Sequence, residues 1–189
     1  TGHPDHGVQL ARTGIAGLSR GHSPACLADL RALQARAEAA MGDGEATAKS
    51  VHLSQQAFET VEPDTEPEWA RFIDVAYLNG EYANAFRDLQ RPVEAATFAR
   101  LSAADAARQQ RARRGSLAHA ALARAALSDH DLAAATSAGL TAVTLATTVK
   151  SSRSTGAVTD LRTRFEPHRD SPHVRQFFEQ TDVLMPALA

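Results

Sequence analysis

The side chains with metal-binding or nucleophilic chemistry are few and scattered. Eight histidines include two close sets, His3 with His6, and His168 with His173 and Asp170 between them. Each set offers two imidazoles, whereas a tetrahedral zinc site takes four ligands. No third and fourth ligand can be placed beside either set, so both read as solvated histidines and no metal is expected. Cys26 is the only cysteine, which excludes an internal disulfide and a cysteine-based zinc cluster. It follows a helix start, where the dipole can lower a thiol pKa, but its neighbours Leu27 and Leu30 suit a core position. The chain has no G-x-S-x-G, no phosphate-binding glycine loop, no H-E-x-x-H and no G-x-G-x-x-G. No catalytic residue, no cofactor and no enzymatic activity are therefore expected.

Binding chemistry is better represented. The one concentrated positive patch is Arg108, Arg111, Arg113 and Arg114. Read on a helix, Arg108, Arg111 and Arg114 recur every third residue and fan over one side. Their guanidinium forks suit a carboxylate or a phosphate. The alternative is a solvated face leaning on Asp105 and neighbouring acids. No aromatic residues interleave with these arginines, which disfavours stacking of nucleic-acid bases. Arg153, near the start of a later helix, is either a second groove arginine or a plain surface residue.

The elements that position these groups read as helices. A helix is predicted from near Glu68 to Leu89 with two apolar stripes, one through Trp69, Phe72, Ile73, Ala76, Gly80 and Ala83. The other runs through Leu78, Tyr82, Ala85, Phe86 and Leu89. Two stripes call for cover on two sides, as in stacked hairpins, with a neighbouring helix crossing closely at Gly80 or a break at Asn79-Gly80. The remaining polar face carries Asp74, Tyr77, Glu81, Asn84 and Asp88, and is the first candidate for a binding groove.

Composition supports an all-helical reading. Aromatics make up 5% of the 189 residues and alanine about a fifth; alanine is the strongest helix former. Hydrophobic residues at 43% and charged residues at 22% belong to an ordinary globular chain. A net charge of −2 gives no long-range attraction to DNA or anionic lipid. No apolar run approaches the roughly 20 residues of a membrane span, and no signal peptide is evident, which points to the cytoplasm. The chain starts at Thr1 without a methionine and reads as a piece of a larger protein or as a processed terminus.

In chain order, residues 1–7 form a polar flexible tail and 8–185 a single helical repeat domain. A first helix from Val8 stops at Gly21. Ser23-Pro24 restarts the chain as N-cap and first helical residue, with Leu27, Leu30, Leu33, Ala37 and Met41 on one stripe. The next helix is capped by Asp43 or Gly44 and packs through Val51, Leu53, Ala57 and Phe58. Glu62 to Pro67 is a loop and the best internal boundary. Pro92 and Asp131 open two partner helices; around Ala104–Ala107 the first passes into the next long helix, packed by Leu117, Ala118, Ala121, Leu122 and Ala125. The turns after Leu89 and Leu127 lie about 39 residues apart, within the range of helical hairpin repeats. Ser151–Thr155 restarts a helix with Val158, Leu161 and Phe165, and a last helix carries Val174, Phe177, Phe178 and Leu184 before Pro186.

The ordered run from Trp69 through LQRPVEAATFA, RRGSLAHAALARAAL, HDLAAA and SRSTGAVTDLRTRFEPHRDSPHVRQFFE resembles a tetratricopeptide-like domain. It is similar to the C-terminal domain of helix-turn-helix transcriptional regulators from Streptomyces and other actinobacteria. The likeness covers about Glu66 to Leu184, and Gln90 and His130 stand where relatives often carry glycine. It implies an all-α fold of stacked helical hairpins in a TPR-like right-handed superhelix, an α-solenoid. It also implies a ligand-sensing and protein-interaction role, with DNA reached only through a helix-turn-helix module upstream of Thr1. The expected concave face comprises Tyr77, Glu81, Asn84, Arg111, Arg114 and Arg153, binding a peptide, a protein segment or a small effector. The alternative is a ligand-free scaffold or homodimer that adheres through exposed Phe177 and Phe178.

Overall fold

The structure, a computed structural model, describes residues 3–18 and 23–184. Among them all regular structure is helical: α1 (Pro4–Gly17), α2 (Pro24–Ala40), α3 (Gly44–Glu59), α4 (Val75–Asp88), α5 (Pro92–Arg108), α6 (Ala112–Ser128), α7 (Leu132–Thr147), α8 (Ser152–Phe165) and α9 (Pro172–Leu184). Short 3-10 turns lie at Glu68–Ala70 and Glu166–His168. The helices fall into two compact units, residues 1–95 and 96–189, divided within α5. No described helix is long and apolar enough to cross a membrane.

Two expected helix starts differ. The first helix starts at Pro4, so Pro4–Gly7 is helix and not tail. Proline needs no amide hydrogen at a helix start, and a Cβ at Gly7 would meet the Ala37 Cβ at 3.0 Å, which shows how closely α1 lies on α2. The expected stop at Gly21 and the end at Pro186 fall outside the described residues. The helix expected from Glu68 begins only at Val75: Asp74 caps it by accepting from the Tyr77 amide, at 2.7 Å. Trp69 and Phe72 therefore sit outside it and are 62% and 50% exposed. From Val75 the helix runs unbroken through Asn79-Gly80 to Asp88.

In the first unit α2 packs against α1, α3 and α4. Ala25, Ala28, Ala32, Ala35 and Ala39 repeat at alternating three- and four-residue steps and are at most 2% exposed. That spacing places them on one seam, and their small size lets neighbouring backbones come close. The Ser54 hydroxyl of α3 donates to the Ala28 carbonyl of α2 at 2.5 Å and accepts from the Tyr82 hydroxyl of α4 at 2.7 Å. The loop before α4 is fastened through Glu66. Its carboxylate is buried and accepts from the Ser23 hydroxyl at 2.5 Å and the Ala25 amide at 2.9 Å. An anion at this helix start satisfies a free amide and favours the dipole.

The second unit repeats the hairpin logic between α6 and α7. Ser116 donates to the Ala142 carbonyl at 3.0 Å, and Ala135, Ala142 and Ala146 are fully buried. The larger core residues Val143, Val158, Leu161, Phe165, Val174 and Phe177 are also fully buried. Gly139 makes room for two of them: a Cβ there would stand 3.0 Å from Phe177 and 3.2 Å from Phe165. Phe177 and Phe178, expected on the surface, are 0% and 4% exposed. Phe178 is covered by the guanidinium groups of Arg162 and Arg169, 5.0 and 4.2 Å from its ring centre. An adhesive surface built from these two rings is thereby excluded.

Helix ends share one geometry. Gly42, Gln90, Gln110 and His130 have φ of 79°, 58°, 53° and 58°. Each is followed by an amide that bonds five residues back, Asp43 to Glu38, Arg91 to Phe86, Arg111 to Ala106 and Asp131 to Ala126. These are Schellman caps, and the last three recur every twenty residues. The Gln110 cap separates α5 from α6, a few residues beyond the junction expected around Ala104–Ala107. In the Gln90 cap, the apolar contact usual across such a turn is replaced by the Arg91 guanidinium, 5.2 Å from the Phe86 ring centre. The left-handed conformation costs a residue with a Cβ about 1–2 kcal/mol, and glycine's added unfolded-state freedom offsets about half of that. Gln110→Gly is therefore expected to raise stability by about 0.5–1 kcal/mol in urea denaturation, with an unchanged slope; a loss of stability would refute this account of the turn.

Candidate functional site

The residues of the expected concave face fall in both units, Tyr77, Glu81 and Asn84 in the first and Arg111, Arg114 and Arg153 in the second. Tyr77, Glu81 and Asn84 do lie along one side of α4, but that side is turned onto α2. The Tyr77 hydroxyl donates to Asp29 at 2.9 Å, and Arg36 donates to the Glu81 carboxylate at 3.0 Å. Glu81 is buried, and the half-buried Asn84 accepts from Arg87 at 2.9 Å. These residues form a polar seam and not an open groove. Arg108, Arg111 and Arg114 do not share a helix: Arg108 ends α5, Arg111 precedes α6 and Arg114 lies in its first turn. Arg108 pairs with buried Asp105, which also accepts from Gln109 at 2.7 Å. Arg111 and Arg114 are half-buried, and Arg153 is exposed in the first turn of α8.

Two concavities remain, one in each unit. The first has a volume of about 380 Å³ and opens between α3 and α4. His52, Gln55, Gln56 and Glu59 of α3 face Val75, Leu78, Asn79 and Tyr82 of α4 across it, with Phe58 at one side. Each set recurs at i, i+3, i+4 and i+7, the spacing of one helix face. The Tyr82–Ser54 bond holds the two helices together beneath. The polar stripe on α3 was legible in the sequence; its pairing with Asn79 was not, because that depends on how far α4 stands off.

The second concavity, about 410 Å³, lies in the second unit over α6. Ala96 and Arg100 of α5 stand on one side, and Ala134, Ser137, Ala138 and Thr141 of α7 on the other. His119, Leu122, Ala125 and Ala126 of α6 form the floor, and Asp129 and Asp131 close one end. Asp131 already accepts from the Ala134 amide at 2.9 Å as the cap of α7. The groove therefore presents a cation, carboxylates and hydroxyls around an alanine floor. Burial lowers the His119 pKa below its ordinary value, so its ring is neutral near pH 7 and able to both donate and accept.

The remaining reactive groups are unremarkable for chemistry. Burial, then Asp29 and Glu66, push the Cys26 thiol up, the opposite of the activation that a helix start alone suggests. His3 and His6 stack with ring centres 5.1 Å apart. Among the described residues no three His, Cys, Asp or Glu side chains gather as metal ligands. Asp160 of α8 joins Arg124 of α6, at 3.3 Å, and Arg164, at 2.8 Å. Burial alone would raise its carboxyl, but the bonds and charges of Arg164 and Arg124 outweigh that and hold it below the usual range.

Asp29 behaves oppositely. Burial raises its carboxyl pKa, the Tyr77 hydrogen bond partly counters this, and the Glu81 charge adds to the rise. A carboxyl raised on folding supports the native state fully at low pH and loses that support as pH climbs through the folded value. At neutral pH the half-buried carboxylate is therefore a burden. Asp29→Asn keeps an acceptor for Tyr77 and is expected to raise Tm at pH 7, with the gain shrinking as pH falls toward 4. A lower Tm at pH 7 would contradict this balance. Compared with known proteins, the chain matches no family model, no curated protein and no solved structure.

Proposed function

We propose that this chain is a ligand-sensing, protein-interaction module, the regulatory part of a bacterial transcriptional regulator that works in the cytoplasm. Its hairpins would stack as a TPR-like right-handed superhelix. The observation that supports the reading best is the groove over α6. Its lining combines Arg100 with carboxylates at Asp129 and Asp131 and with apolar alanines and Leu122. Such a groove suits a peptide end or small effector that carries both charges, held at each end by a charge-assisted bond. Ligand would shift the population between two arrangements of the helical hairpins, and a DNA-binding module elsewhere in the protein would read the shift.

The test is native mass spectrometry of the protein isolated from its host, beside Arg100→Ala and Ala134→Trp. Ala134 is exposed on the groove wall, so the indole fills the groove without entering the core. A retained adduct is expected for the unaltered chain and a loss of at least about tenfold in occupancy for both variants, the effect of about 1.4 kcal/mol. No adduct, or equal adducts on all three proteins, would overturn the assignment.

A second reading, a homodimerising scaffold, now finds its support in Trp69 and Phe72, whose exposure is unusual for large aromatics. It expects a concentration-dependent dimer in sedimentation velocity that Trp69→Ser with Phe72→Ser abolishes. A monomer at all concentrations would remove it.

A further inference from the structure

Asn79 is 8% exposed and lines the α3–α4 cleft. Every other buried polar side chain along α4 has a partner: Glu81 holds Arg36, and Tyr82 holds Ser54. The Asn79 carboxamide has no hydrogen bond to any described residue. Its polar atoms are not sealed in the interior but reach the water of the cleft, and a leucine, alike in branching though larger, would extend an α4 stripe that already carries Val75 and Leu78. The position thus carries a group that the fold does not use, aimed into a cleft of about 380 Å³, within the size range of small-ligand sites.

The surroundings define what would satisfy it. A carboxamide offers one acceptor and two donors side by side, the complement of a peptide unit's N–H and C=O. Gln55 and Gln56, one turn apart from His52 on the α3 rim, extend that pattern with further neutral donors and acceptors. Phe58 and the 44% exposed Val75 supply an apolar contact. No lysine or arginine lines the cleft, and its one carboxylate is Glu59, so an anionic ligand is disfavoured and a cationic one favoured. We propose that the α3–α4 cleft binds the main chain of an extended, non-acidic peptide, with Asn79 pairing to a peptide unit and an apolar peptide side chain against Phe58 and Val75. This inference is independent of the groove over α6.

Two pools of N-acetylated, C-amidated tripeptides with a central leucine test it, one flanked by lysine and the other by glutamate. The readout is the side-chain amide resonance of Asn79 in 15N-labelled full chain, assigned by its disappearance in Asn79→Leu. The lysine pool at millimolar concentration is expected to shift that resonance, and the glutamate pool to bind about tenfold more weakly. Asn79→Leu is expected to melt at a higher temperature than the unaltered chain and to lose the peptide response in the Val75 and Leu78 methyl signals. A purely structural amide would give the reverse, a lower melting temperature. Overturning results are an unmoved Asn79 resonance with both pools, methyl shifts that persist in Asn79→Leu, or shifts confined to the second unit. The last would leave the groove over α6 standing and remove this cleft.

Discussion

A serine hydroxyl reaching the main-chain carbonyl of the next helix sets the scale of this structure. Ser54 reaches Ala28, and Ser116 reaches Ala142. A side chain that short spans two helices only if their axes approach near the lower end of the usual 8–10 Å. Alanine and glycine at the seams permit this: Ala25 to Ala39 on α2, and Ala135, Gly139, Ala142 and Ala146 on α7. The close approach has an energetic consequence. Burying a methyl contributes about 0.8 kcal/mol, so alanine seams yield little per residue, and capping geometry and internal hydrogen bonds carry a larger share than in a leucine-rich core. The Glu66 clamp on α2 and the repeated Schellman caps belong to that share.

The two units meet this constraint differently. In the second, Phe165 and Phe177 lie 4.5 Å apart beside Gly139 and supply the apolar volume that alanine lacks. In the first, polar groups enter the interior and pair across helices. Arg31, Gln34, Glu38 and Ser50 form one chain of bonds along α2 and α3, with the two bonds to Glu38 at 2.7 and 2.6 Å. Asp29 and Arg36 meet Tyr77 and Glu81 of α4 in a second. Networks of this kind are most stabilising when each member is satisfied; Asn79 stands outside both, its carboxamide turned to the cleft between α3 and α4.

This also explains what the sequence could and could not convey. Helix existence and most starts were legible, because Ser23-Pro24, Asp43, Pro92, Asp131 and Ser151 are local signals. The cap at Gln110 was not, since it lacks the glycine that marks such turns and differs from an ordinary helical stretch only in backbone φ. The polar face of α4 was read as solvent-facing because amphipathicity normally means that. Nothing local to α4 reveals that α2 carries Asp29 and Arg36 two turns apart, in register with Tyr77 and Glu81. Phe177 and Phe178 were misplaced for a similar reason. Their cover comes from the gap at Gly139 and from Arg162 and Arg169, all far from them or on another element.

Where seams are thin, concavities arise wherever a helix pair lacks the side chains to close. Between α3 and α4 the facing stripes are His52, Gln55, Gln56 and Glu59 against Val75, Leu78 and Asn79. Long polar side chains on α3 stay in water, because burying them would forfeit hydration without partners, so the cleft persists. Over α6 the same outcome comes from small size: Ala125, Ala126, Ala134 and Ala138 cannot reach across. The packing rule that draws α2 and α3 together thus leaves open the places where another molecule can complete the hydrogen bonds or the apolar contact. Filling either gap with larger apolar residues would add buried area to the fold and remove the surface on which the proposed binding depends.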